Sequence, residues 1–262
     1  MHHQVFTLVL LALAAIRLSA EVPSSANSKA PAPIPLSELG AKATADYRGD
    51  AIGIERTAEG AKLHTKFQKL AGTVTETGLT LESTGEGGGR LRLVADALGR
   101  VGVAQSRPLG RTGEVTVDEA GKTVSFARAG LVEQYSVSVD GVRQDFVVTE
   151  RPEGAGDLRV ELALSGAKAE SAEAGVKLVV EGSGRALAYS RLKVSDAKGK
   201  ELVARLEVLS AARLAVSVED AAAEYPLRID PTFSDADWSA LGSGVNGGVY
   251  ALALDGAGNL YA

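Results

Sequence analysis

Tyr135, Val137 and Val139 alternate with Gln134, Ser136 and Ser138, and Asp140-Gly141 then turns the chain into a second run, Val142–Glu150. Successive side chains of an extended strand point to opposite faces, so a period of two gives one apolar and one wet face. Asp-Gly suits the left-handed dihedrals of a tight turn. The stretch therefore reads as a hairpin, and the same texture fills most of the chain. Alternating runs follow at Leu158–Leu164, Val176–Glu181, Ala186–Asp196, Glu201–Val208 and Leu214–Val218, and precede it at Ala51–Arg56, Ala61–Phe67, Gly72–Glu76, Leu79–Ser83, Arg90–Ala95, Glu114–Asp118 and Thr123–Arg128. Turn signals such as Ala58-Glu59-Gly60, Glu86-Gly87-Gly88-Gly89 and Gly182-Ser183-Gly184 separate them. Short strands at nearly regular spacing predict a sandwich or barrel rather than a parallel α/β sheet. The expected fold class is all-β: two β-sandwich-like modules over residues 42–129 and 130–232, then a further short β segment over 233–262. The second module closes on Tyr225–Thr232, whose two prolines predict that pairing ends there or that the strand lies at an edge.

The chain begins with a different texture. Val5–Ile16 is almost continuously apolar, the length of a signal-peptide core and short of the roughly 20 residues that a spanning helix needs. Leu18-Ser19-Ala20 offers small residues for cleavage, so residues 1–20 read as a signal peptide and the protein as exported, with no membrane span once the leader is cut. An uncleaved anchor is the competing reading. His2 and His3 stand where a leader usually carries Lys or Arg. Residues 21–41 hold four of the eight prolines among Ala and Ser, the composition of an extended spacer.

Charge and cysteine content narrow the function classes. The net charge of −5 becomes −6 when Arg17 leaves with the leader, and Lys and Arg are scattered, which gives no basis for nucleic-acid binding. Cysteine is absent, which removes disulfides, thiolate metal sites and cysteine nucleophiles, and leaves stability to burial.

Two segments carry a family resemblance. Trp238-Ser-Ala-Leu-Gly-Ser-Gly, a Val249–Leu254 strand, the turn Asp255-Gly256-Ala257-Gly258 and a strand Asn259–Ala262 resemble one kelch-like repeat of secreted bacterial β-propellers. Leu131–Phe146 and Tyr225-Pro-Leu-Arg-Ile-Asp-Pro-Thr232 resemble the amino-terminal β region of large secreted bacterial repeat proteins, in which such a segment hands over to repeats. The resemblance implies a stalk or cap before a propeller array, of which this sequence holds about half a blade, since propellers close with typically 4–8 blades. It carries no catalytic residue onto any position here.

His64, the histidine left after the leader, sits on the polar side of a strand with no Gly-x-Ser-x-Gly to serve, so it reads as a surface residue. Asp145 and Glu161 could pair for glycosidase work only if held ~5–9 Å apart in a cleft; acids on solvated sheet faces explain them more simply. Asp230, Asp235 and Asp237, and separately Asp255 with Asn259, could offer oxygen ligands to calcium, although Asp and Asn are also ordinary turn residues. Trp238 reads as an aromatic that packs between blades, Glu86–Gly89 lacks the helix and Lys of a phosphate loop, and Arg48-Gly49-Asp50 is a three-residue match that occurs often by chance. No catalytic, cofactor-binding or metal residue is assigned. The expectation is an exported, non-catalytic structural or binding region whose partner is an extracellular protein or glycan, with surface recognition or adhesion as its role. A carbohydrate-binding or carbohydrate-degrading protein and a purely structural surface scaffold are the alternatives.

Overall fold

The structure, a computed structural model, describes residues 36–103, 106–173 and 175–236, with residues 253–254 and 260–261. After helix α1 (Leu36–Asp46), the first run of strands is β1 (Ile52–Thr57), β2 (Gly60–Thr65), β3 (Leu70–Thr75), β4 (Gly78–Ser83), β5 (Arg90–Arg100) and β6 (Arg107–Pro108). There follow β7 (Glu114–Val117), β8 (Val124–Arg128), β9 (Leu131–Ser138), β10 (Gly141–Val148), β11 (Leu158–Ser165) and β12 (Ala167–Ala172). The rest are β13 (Gly175–Val180), β14 (Ala186–Ser195), β15 (Ala204–Ser210), β16 (Arg213–Val218), β17 (Leu227–Asp235), β18 (Ala253–Leu254) and β19 (Leu260–Tyr261).

Two antiparallel sheets face each other. The first runs β1-β2-β3-β4-β5-β11-β16-β15 with β6 on β5, and the second runs β12-β13-β14-β17-β10-β9-β8-β7. Alternation makes this possible: Leu91, Leu93 and Ala95 of β5 and Tyr135, Phe146 and Phe233 of the second sheet point inward and are buried in one continuous apolar core. The all-β, sandwich-like expectation stands. Residue 130 does not divide it into two self-contained halves, however. Strand β5 pairs with β11, and β8 with β9, so both sheets draw strands from either side of that residue.

The expected β9–β10 hairpin forms in the register Ser138↔Gly141, Tyr135↔Gln144, Leu131↔Val148. Gly141 has φ 143°, and a Cβ there would lie 1.8 Å from the Phe233 carbonyl oxygen, so only glycine fits.

Two expectations change. Tyr225–Thr232 does not end pairing or lie at an edge: β17 sits in the middle of the second sheet, bonded to β10 on one side and β14 on the other. Pro231 is tolerated because β14 bulges opposite it. Its register shifts between Ser190 and Lys193, with Arg191 at φ 59°. The spacer expected over 21–41 gives way to helix at Leu36. An Ala-rich run after Pro35 favours it, Lys42 bridges Asp46 at 2.6 Å, and the Thr44 hydroxyl accepts from the Val139 amide at 3.1 Å, seating α1 on the β9–β10 turn.

The carboxy-terminal hairpin pairs Ala253 with Tyr261 and Leu254 with Leu260. The rest of the expected blade lies outside the described residues.

Gly141→Ala is expected to unfold at lower denaturant than Gly182→Ala. Both positions have positive φ, costing about 1–3 kcal/mol, but a Cβ at Gly182 meets open space. Equal midpoint shifts in urea would show that the approach to Phe233 adds nothing.

Candidate functional site

The outer face of the second sheet carries a four-residue charge cluster. Arg143 and Asp145 alternate outward from β10, and Arg228 and Asp230 from β17, with apolar residues on the opposite face of each strand. Arg143 donates from Nε to Asp145 Oδ1 at 2.6 Å and from Nη2 to Asp230 Oδ2 at 2.6 Å. Arg228 donates from Nη1 to Asp145 Oδ2 and from Nη2 to Gln134 Oε1 at 2.9 Å. Burial, and next the charge of Asp145 beside it, push Asp230 up to about 7. Asp230 thus takes up a proton near neutral pH, beside two guanidiniums. Beside them lies a depression of about 380 Å³, floored by Thr123, Ser125, Gln134 and Ser136. Hydroxyls, an amide and guanidiniums there can both donate to and accept from a polar ligand.

A second polar cluster lies inside the core, around Glu133, which stands in phase with Leu131 and Tyr135 on β9. Glu133, fully buried, pairs with Arg128 and accepts from the Tyr135 hydroxyl at 2.8 Å and the Gln144 amide at 2.7 Å. Gln144 in turn accepts from the Tyr189 hydroxyl at 2.9 Å. Burial raises the Glu133 carboxyl against the pull of Arg128, Tyr135 and Gln144. The partners across the sandwich are backbone groups of β5. Ala95 N–H donates to Glu133 at 3.2 Å, the Ala95 carbonyl accepts from Arg128 at 2.7 Å, and the Leu93 carbonyl accepts from Gln144 at 3.0 Å. These groups need side chains because β4 pairs with β5 only at Leu91 and Arg90, and β6 only at Ala97 and Leu98.

A third cluster closes one end. Arg100 and Asp220, 2% and 1% exposed, form an ion pair in which Arg100 Nη1 lies 2.7 and 2.8 Å from the two carboxylate oxygens. Arg151 at 2.9 Å and the Tyr225 hydroxyl at 2.7 Å complete the carboxylate's shell. Burial works against the Asp220 charge, but Arg100 and Tyr225 outweigh it and hold the carboxyl below its ordinary value.

The residues singled out from sequence fall as follows. Asp145 and Glu161 lie on different sheets. Glu161 accepts from Ser106 and Arg213, both at 2.8 Å, on the first sheet. The acid beside Asp145 is Asp230 instead, a pairing that only the β10–β17 register reveals. Asp230 and Asp235 do not converge: five residues apart on one strand at ~3.3 Å each, they are about 16 Å apart, and Asp235 bridges Arg185 at 3.0 Å. No group of metal-ligating residues occurs among the described residues. Partly exposed His64 places Nε2 2.9 Å from the Asp50 carbonyl oxygen. In Arg48-Gly49-Asp50, the arginine donates to the Tyr47 carbonyl and the aspartate pairs with Lys66. Gly87, Gly88 and Gly89 form the β4–β5 turn with φ of 77°, 60° and 107°. Asp237, Trp238, Asp255 and Asn259 lie outside the described residues. Among the described residues, no helix is long and apolar enough to cross a membrane. Comparison of this chain with protein-family models, with curated proteins and with solved structures gives no match.

Two outcomes are expected. Glu133→Ala should cost about 3–5 kcal/mol in urea unfolding, because Arg128 is left buried and unpaired. Replacing both partners (Glu133→Leu with Arg128→Met) should not restore stability, because the β5 backbone groups stay unsatisfied at about 1–3 kcal/mol each. A double variant as stable as wild type would refute that role. For Asp230 the folded carboxyl binds its proton more tightly than the unfolded one. Its contribution is therefore full below pH ~4 and is lost as pH rises toward 7, a change on the order of 2–4 kcal/mol. Asp230→Asn should flatten the fall in Tm between pH 4 and 7; an unchanged slope would assign the fall elsewhere.

Proposed function

We propose that this chain is an exported, non-catalytic β-sandwich that serves as the stalk or cap leading into kelch-like propeller repeats, with surface recognition or adhesion as the role of the whole. The observation that carries the reading is the position of β17. That strand, which takes in Leu227–Thr232 and precedes the repeat-like segment in sequence, lies at the centre of a sheet, hydrogen-bonded on both edges. Its exit is held as well: the Asp235 amide donates to Gln68 at 2.9 Å, and Asp235 pairs with Arg185. A chain leaving a sheet from a doubly paired strand transmits tension to many backbone bonds at once, as a stalk requires. The paired acids and arginines fit the same reading, since each joins neighbouring strands.

The polar depression beside Arg143 and Arg228 favours a second reading, binding of a glycan through its hydroxyls. A purely structural scaffold would need neither ligand. The propeller resemblance of residues 233–262 remains part of this proposal, as do the leader and the extracellular or cell-surface location.

Expression with the native amino terminus should yield secreted or surface-bound protein beginning at Glu21; uncleaved protein held in the cytoplasm would overturn the export reading. On a glycan array the processed chain should show no saturable binding unless the second reading is correct. In hydrogen exchange, Val249–Ala262 should exchange faster than Tyr135–Phe146. Equal protection in a monomer would mean that the terminal hairpin docks on the sandwich and is not the start of a separate blade.

A further inference from the structure

We propose that the chain self-associates as a two-fold dimer through β15, two copies pairing antiparallel about Leu206 to join their first sheets. Among the described residues, strand β15 ends that sheet and pairs on one side only, with β16. The Glu219 amide donates to the Val203 carbonyl at 2.9 Å. Hydrogen-bonding direction alternates along an antiparallel strand, so Val203, Arg205 and Glu207 turn their backbone groups toward β16. Ala204, Leu206 and Val208 therefore aim theirs at the open edge. The other edges are covered differently. On β12 the Ala169 amide donates to the Ala211 carbonyl at 2.9 Å, and between β1 and β7 Arg56 donates to the Val117 carbonyl at 3.1 Å.

The outward side chains select the occupant. Val203 and Leu209, 64% and 42% exposed, flank the run, and Arg205 and Glu207 lie between them. A two-fold axis at Leu206 sets each Arg205 opposite the partner's Glu207 and brings each Val203, just before β15, toward the partner's Leu209, at which the β15–β16 register shifts. Every outward residue of one copy then meets a complement on the other. A centre at Arg205 or at Glu207 sets like charges opposite, and a shift of one residue puts outward side chains against inward ones. Within one chain Arg205 already reaches Glu207 at 2.7 Å, so the dimer would close a ring of four alternating charges. Leu206 would exchange both backbone bonds with its own copy, and each Ala204 would do so with the partner's Val208. Such an isologous joint also removes an edge that otherwise invites uncontrolled pairing.

The test is sedimentation velocity on the full chain as its host processes it, at about 100 μM, above a micromolar Kd. Wild type is expected to sediment as a dimer. Arg205→Glu, at an exposed position, and Glu207→Arg, at a half-buried one where Glu207 also pairs with Arg159 at 3.4 Å, should each weaken association at least about tenfold, by placing like charges across the axis. Mixing the two variants should restore a dimer, since one presents acids on both sides and the other bases. A wild-type monomer at that concentration would overturn the proposal, as would a dimer indifferent to either substitution. So would a mixture that stays monomeric while both variants keep the wild-type far-ultraviolet circular dichroism.

Discussion

The two sheets are joined at their centre by a buried carboxylate. Where β4 and β6 leave β5, the backbone at Leu93 and Ala95 lacks a strand partner, and Glu133, Arg128 and Gln144 reach across the apolar layer to supply one. An isolated ion pair in a core is often worth less than the apolar residues that could replace it. This one differs because it satisfies main-chain groups that no apolar residue can satisfy. With Tyr135 and Tyr189 the network spans four strands of the second sheet, so the relative placement of the layers depends on a handful of hydrogen bonds.

The same device recurs at the ends. Arg100 and Asp220 tie the end of β5 to the segments around Arg151 and Tyr225, while Arg185 binds the Gln68 and Lys69 carbonyls on one side and Asp235 on the other. Without cysteine, these charged hydrogen bonds between layers and loops do work that small secreted domains give to disulfides. Their pH responses oppose one another. Asp220 stabilises above its ordinary pKa and loses its contribution as acid protonates it, whereas the raised carboxyls of Glu133 and Asp230 favour the folded state at lower pH.

Much of the local structure was legible in the sequence. Strands such as β11, β14 and β16 fall within a residue or so of the alternating runs, because a half-buried strand writes its two faces into every second residue. Pairing order was not legible. That β5 finds β11 as well as its sequence neighbours β4 and β6 depends on contacts about sixty residues apart, and no turn signal records them. Pro231 misled for a related reason: a proline forbids one hydrogen bond, and the remedy lies in a bulge on β14, some forty residues away. Alternation also puts Glu133 on the apolar side of β9, in phase with Leu131 and Tyr135, an anomaly visible in sequence only once that phase is taken literally.

The outer faces obey a different logic from the core. Arg213 bridges Asp96 and Glu161 on one sheet, and Arg143 and Arg228 bracket Asp145 and Asp230 on the other. Charges matched within each face favour keeping neighbouring strands in register over attracting a charged ligand. Strand β15 is where that self-sufficiency is incomplete. Arg205 and Glu207 pair with each other along the strand and with Asp157 and Arg159 beside it, Val203 and Leu209 are exposed, and alternate backbone groups of the strand point to an open edge. An antiparallel strand edge of this kind finds its complement in a second copy of itself.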